Sequence, residues 1–155
     1  MTKRSWPSSS TAARLHHAAG REWPHVQAEV MQRLARSPRD AVYFVLLTLT
    51  DAEQAWELAH ALALDEDRTW SDLVKAYEKI DPLAVLPVLT RLVRNELADT
   101  GAQHYQIAAR RLKKMRALAA GSEYAAEVDA LITELRETNR RRPRLQQEFD
   151  RAGLP

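Results

Sequence analysis

The chain has 155 residues, 45% hydrophobic and 28% charged, with a net charge of +2. That length suits one domain with its own core, and the composition excludes a disordered or membrane-embedded chain. The absence of cysteine excludes disulfides, thiolate metal sites and a cysteine nucleophile, while four glycines among many Ala, Leu, Arg and Glu residues favour an all-α fold over a hairpin-rich sheet.

Charge is laid out in blocks. Residues 1–36 carry six basic and two acidic residues, 37–100 six and twelve, and 101–155 eleven and seven. A basic–acidic–basic layout lets neighbouring segments attract, or steers a charged partner.

The N-terminus "MTKRSWPSSSTAARLHH" has no apolar run of signal-peptide length, and "AVYFVLL" (41–47) is too short to span a bilayer, so a cytoplasmic protein is expected. Residues 1–22 read as an arm with one weak helix over 11–19. Trp6 and Trp23 flank that helix and either anchor the arm or face a partner. Residues 23–155 read as a single helical-repeat domain. Trp23-Pro24 opens a helix with Val26, Val30 and Leu34 on one face, closed by Ser37-Pro38.

Asp40 is the expected N-cap of an all-apolar helix, and Thr50 with Glu53 makes a capping-box pattern for the next. On that second helix Ala52, Ala55, Trp56, Ala59 and Leu62 share a side. "DED" (65–67) is a polar break, and Thr69 is the expected cap of a helix from Trp70 to about Lys79. Asp81-Pro82 starts a helix to about Ala98, with a kink expected near Pro87. Thr100 and Gln103 suggest a capping box for a helix to Ala120, stopped by Gly121. Ser122 caps a helix to about Asn139. Pro143 begins the last helix and Gly153 ends it.

The helix over 101–120 has two part-apolar faces. Tyr105, Ala108, Leu112, Met115 and Ala119 form one; His104, Ile107, Arg111 and Leu118 form a second, mixed stripe. The helix over 123–139 has a single stripe of Tyr124, Val128, Leu131 and Leu135. This predicts an all-α array of seven or eight helices in stacked antiparallel pairs.

Two basic runs are the candidate polyanion-binding residues: Arg110, Arg111, Lys113 and Lys114, then Arg140, Arg141, Arg142 and Arg144. Close-packed cations of this kind bind phosphates. The plainer reading is the wet face of an amphipathic helix and a solvated turn whose cations offset a helix dipole. Glu137 precedes Arg141 by four residues, a spacing that permits an ion pair. His16, His17 and His25 lack the convergent ligands of a metal site, and His60 lies one turn after Trp56, beside the indole. There is no G-x-S-x-G and no phosphate-binding loop. No catalytic residue, cofactor or metal is expected.

Residues 25–155 resemble the C-terminal helical region of bacterial SWIM zinc-finger proteins. The resemblance rests on ordered motifs: Ala55-Trp56, Asp81-Pro82, Tyr105/Ala108/Leu112, Leu135-Arg136, Arg142-Pro143 and Ala152-Gly153-Leu154. It implies a tetratricopeptide-like stack of helix pairs, an α-solenoid. The family's zinc module needs Cys-x-Cys and Cys-x-His, which this chain lacks, so the likeness is to the helical tail alone, as a separate protein or as a piece of a longer or split system. The function expected is a non-catalytic protein-interaction scaffold. The alternative is an auxiliary nucleic-acid-binding subunit that uses the two basic runs.

Overall fold

Ser37 and Pro38 open a helix. The computed structural model describes residues 37–155. The expected arm over 1–22, with Trp6, and the helix opened by Trp23 lie outside the described residues. The chain divides into two compact units, Met1–Ala76 and Tyr77–Pro155. Every described element is helical: seven α-helices and one π-helical segment, with no strand among the described residues.

In the first unit, α1 (Pro38–Tyr43) has Pro38 in its opening turn, where a missing N–H breaks no helical bond. The Ser37 hydroxyl donates to Asp40 at 3.1 Å, so Asp40 lies inside the first turn rather than capping it. The chain then widens into a π-helical segment, Phe44–Thr48, with the Leu49 N–H donating to the Phe44 carbonyl. Phe44 and Val45 turn inward, whereas Leu47 is 66% exposed. The run that reads as apolar on every side is therefore not buried on every side.

Helix α2 (Ala52–Ala61) is capped by Asp51, whose carboxylate accepts from the Gln54 N–H at 3.0 Å. The expected Thr50 box does not form. Thr50 sits in the left-handed region at φ 49° and its hydroxyl donates to the Leu49 carbonyl. Ala55, Trp56 and Ala59 are buried, as the spacing predicts. Helix α3 (Asp67–Tyr77) starts earlier than expected, so Thr69 is not a cap but a fully buried residue of its first turn. Trp70 is buried too, and its indole N–H donates to the Leu64 carbonyl at 2.7 Å.

In the second unit, the Asp81 carboxylate accepts from the Ala84 N–H at 3.2 Å, and α4 begins only at Leu86 (Leu86–Leu97). Pro87 thus falls in a first turn, where its missing donor disturbs nothing; the predicted kink is replaced by a fresh helix start. Helix α5 (Ala102–Ala119) begins after Gly101 at φ 133°, without a side-chain cap, so the Thr100 box is absent as well. The Ser122 hydroxyl closes the next turn by donating to the Ala119 carbonyl and accepting from the Tyr124 N–H. Helix α6 (Ala125–Thr138) follows, then α7 (Pro143–Arg151).

Polar pairs join successive helices. Glu96 faces His104 across the α4–α5 connection, Arg116 pairs with Asp129 across α5–α6, and Arg136 pairs with Asp150 across α6–α7. α5 packs against α4, α6 and α7. Its buried face is the predicted one, widened by Ala109, and its second stripe (His104, Ile107, Arg111, Leu118) is half-buried. On α6 Val128, Leu131, Ile132 and Leu135 are buried, but Tyr124, predicted inside, is 37% exposed because it precedes the helix.

Two helices end in the same motif with different residues. After α2 the Leu64 N–H bonds the Ala59 carbonyl; after α7 the Leu154 N–H bonds the Phe149 carbonyl. The left-handed position is Ala63 (φ 49°) in the first and Gly153 (φ 76°) in the second. An alanine there is strained, while a Cβ on Gly153 would touch nothing within 4 Å. Replacing Ala63→Gly should raise stability by about 0.5–1 kcal/mol, and Gly153→Ala should lower it by about 1 kcal/mol through backbone strain alone. Urea unfolding followed by far-UV circular dichroism measures both.

Candidate interaction surfaces

Most of the basic side chains read as phosphate ligands are engaged inside the second unit. Arg111 donates to the Leu92 carbonyl at 3.4 Å and lies 4.0 Å from Glu96. Lys114 pairs with Glu78 at 2.8 Å. Arg142 donates to the Leu97 carbonyl at 3.2 Å, so the arginine-rich turn caps the C-terminal end of α4, a helix distant in sequence. Arg144 binds the buried Glu148 carboxylate at 3.2 Å; Arg151 binds the same oxygen at 3.2 Å and Gln106 approaches it at 3.5 Å. Arg140 pairs with Glu137 at 3.6 Å on the surface, taking the partner that the spacing offered to Arg141. Arg110, Lys113 and Arg141 are exposed and form no ion pair among the described residues.

Arg111 and Arg142 both turn toward the C-terminal half of α4, Lys114 turns toward Glu78, and Lys113 lies beside Arg116 where that residue meets Asp129 of α6. The residue that sequence reasoning passed over is Arg136. Its guanidinium donates to the Leu154 and Pro155 carbonyls, Gln146 and Asp150, at 2.6–3.0 Å, and stacks 5.5 Å over the Phe149 ring. The signal for it was the Leu-Arg pair near a helix end followed by a short turn.

In the first unit His60 packs between two indoles, 4.9 Å from the Trp56 ring and 4.7 Å from that of Trp70, and its Nδ1 meets the Trp56 carbonyl at 2.8 Å. This matches its expected place beside Trp56. His16, His17 and His25 lie outside the described residues. No group of three His, Asp or Glu side chains is placed to hold a metal among the described residues, and none of their helices is long and apolar enough to cross a membrane. Tyr43 donates to Asp72 at 2.6 Å. Burial first, then the hydrogen bond to and charge of Asp72, push the Tyr43 phenol above its ordinary value; Thr69 and Arg39 pull the other way.

A groove of about 820 Å³ opens between α4 and α6. Its floor is Met115 of α5 with Leu86, Val128 and Leu131, and Tyr124 and Leu83 stand at its mouth. Glu123, Glu127 and Glu134 line one wall at helical spacing, and Asp81 faces them from the start of the α4 side. At the far end Arg94 and Glu134 pair at 3.0 Å and bridge the walls. The rim is thus acidic around an apolar floor, on a chain whose net charge is positive. Sequence periodicity did not isolate this groove.

Comparison with known proteins returns no matching family model, no matching curated protein and no matching solved structure.

Arg136→Ala should cost about 2–3 kcal/mol, since charge-assisted bonds and packing on Phe149 are lost together, whereas Arg141→Ala should stay within about 0.5 kcal/mol. Paired chemical denaturation curves measure the difference. Tyr43 holds its proton more tightly folded than unfolded. Its contribution is therefore complete below the unfolded-state value and is lost as pH rises through the higher folded-state value. Thermal melts between about pH 9 and pH 11 should show a steeper loss for the wild type than for Tyr43→Phe.

Proposed function

We propose that the chain is a non-catalytic helical scaffold of the cytoplasm that engages another protein. The observation that carries this reading is the open, apolar-floored groove between α4 and α6, built on rigid helices and walled at helical spacing. The engagement of Arg111, Lys114, Arg142 and Arg144 within the fold weighs against phosphate binding as the main role. The likeness to the helical region of SWIM zinc-finger proteins, and a tetratricopeptide-like stacking of the pairs, belong to the same proposal. Ordered motifs support the first, and the helical content of the described residues is compatible with the other.

Two measurements test it together. Affinity capture of the full chain from its native lysate, with quantitative mass spectrometry, should recover a protein in near-stoichiometric amount. A gel-shift series with duplex DNA and single-stranded RNA should show no complex even at about 20 mM salt. Nucleic-acid complexes with a steep salt dependence, and no protein recovered, would overturn the reading in favour of the basic residues.

A further inference from the structure

The groove in the second unit has a defined shape and charge. From Glu127 to Glu134 its α6 wall spans about 10 Å, two helical turns, and Glu123 lies in the turn before that helix. Glu127 and Glu134 fall within one narrow stripe of α6, with Glu123 in the turn before it, and Val128 and Leu131 form the adjoining stripe, with Tyr124 just ahead of the helix. Leu83, Leu86, Pro87, Thr90 and Arg94 make the opposite wall at spacings of three and four. The far end is bridged by Arg94 and Glu134, so the carboxylates left for a visitor, Asp81, Glu123 and Glu127, all lie toward the other end. Glu123 and Glu127 are exposed and form no ion pair among the described residues.

We infer that this groove receives a basic amphipathic helix of a partner protein, apolar face on Tyr124, Leu83 and Pro87, and cations along Glu123 and Glu127. Three features select this occupant. Asp81 on one wall and Glu123 and Glu127 on the other give the groove an acidic end, which matches cations carried on the flanks of a helix. The apolar floor matches the apolar stripe of such a helix, read as anchors at i, i+4 and i+7. The groove is partly open to solvent, so a helix can lie in it with its third face wet. The like charge of the rim repels an acidic helix, which gives discrimination as well as affinity.

This inference rests on the scaffold reading and narrows it. The test uses the full chain and a fluorescein-labelled Leu/Lys amphipathic peptide of about 14 residues, helical over three to four turns, with a Leu/Glu peptide of the same pattern. Anisotropy titration should show saturable binding of the Leu/Lys peptide alone. The double reversal Glu123→Lys with Glu127→Lys should weaken it about tenfold or more, whereas Glu53→Lys with Glu57→Lys, an equal charge change on the exposed face of α2, should leave it unchanged. Circular dichroism verifies that both variants fold. Equal binding of the two peptides, or binding indifferent to the groove reversal, would overturn the assignment. So would displacement of the probe by a synthetic peptide of residues 1–36 at comparable affinity, which would make the occupant this chain's own segment. Repeating the affinity capture with the groove variant separates the two levels: a partner recovered equally by both proteins sinks the groove and leaves the scaffold standing, and no partner with either protein sinks both.

Discussion

The second unit depends on the breadth of the apolar arc on α5. Tyr105, Ala108, Ala109, Leu112, Met115 and Ala119 are all buried, and Ile107 and Leu118 are half-buried beside them. An arc this wide cannot be covered by one neighbour. Withdrawing side chains such as Leu112 and Met115 from water is worth about 1.5–3 kcal/mol each, so leaving either flank wet would forfeit much of a small domain's stability. Three helices gather around α5 as a result, and Ala108 and Ala109 let them approach closely. The groove follows from the same constraint: α4 and α6 each meet α5 on a different flank, stand apart from each other, and leave the edge of Met115 as a floor.

Charge is arranged around that core in a way the net value conceals. The C-terminal third is rich in arginine, yet its cations turn toward carbonyl groups at helix ends and toward one buried carboxylate. A guanidinium suits this task, because its planar fork of donors satisfies several acceptors at once. Arg136 gathers the end of α6, the length of α7 and the last two residues into one knot. The Glu148 carboxylate, 6% exposed, is tolerated because cations from both directions along its own helix reach it. With that basic charge drawn inward or paired, the acidic edge of α6 dominates the groove.

The helices were legible because their signals are local. Periodic Leu, Val and Ala, and the punctuation of Pro82, Gly121, Pro143 and Gly153, need only a few neighbouring residues to act, so α5, α6 and α7 lie close to their expected spans. The caps were less legible, for a physical reason. A Thr or Ser followed by Glu or Gln can cap, but Asp51 outcompetes Thr50 from the next position, and Gly101 displaces Thr100 by adopting a backbone that only glycine takes easily. The π-helical turn after Tyr43 had no sequence signal that we can name.

The amino-acid sequence by itself determined that this chain is built of helices and which face of most of them is apolar, because backbone hydrogen bonding and side-chain period act within a turn or two. The tertiary structure alone decided what the charges do. Whether Arg142 meets a phosphate or the Leu97 carbonyl, and whether Glu123 and Glu127 lie on a plain wet surface or along a groove, depends on helices brought together from distant parts of the chain. Electrostatic partners are chosen by distance in space, and a sequence orders residues only by distance along the backbone.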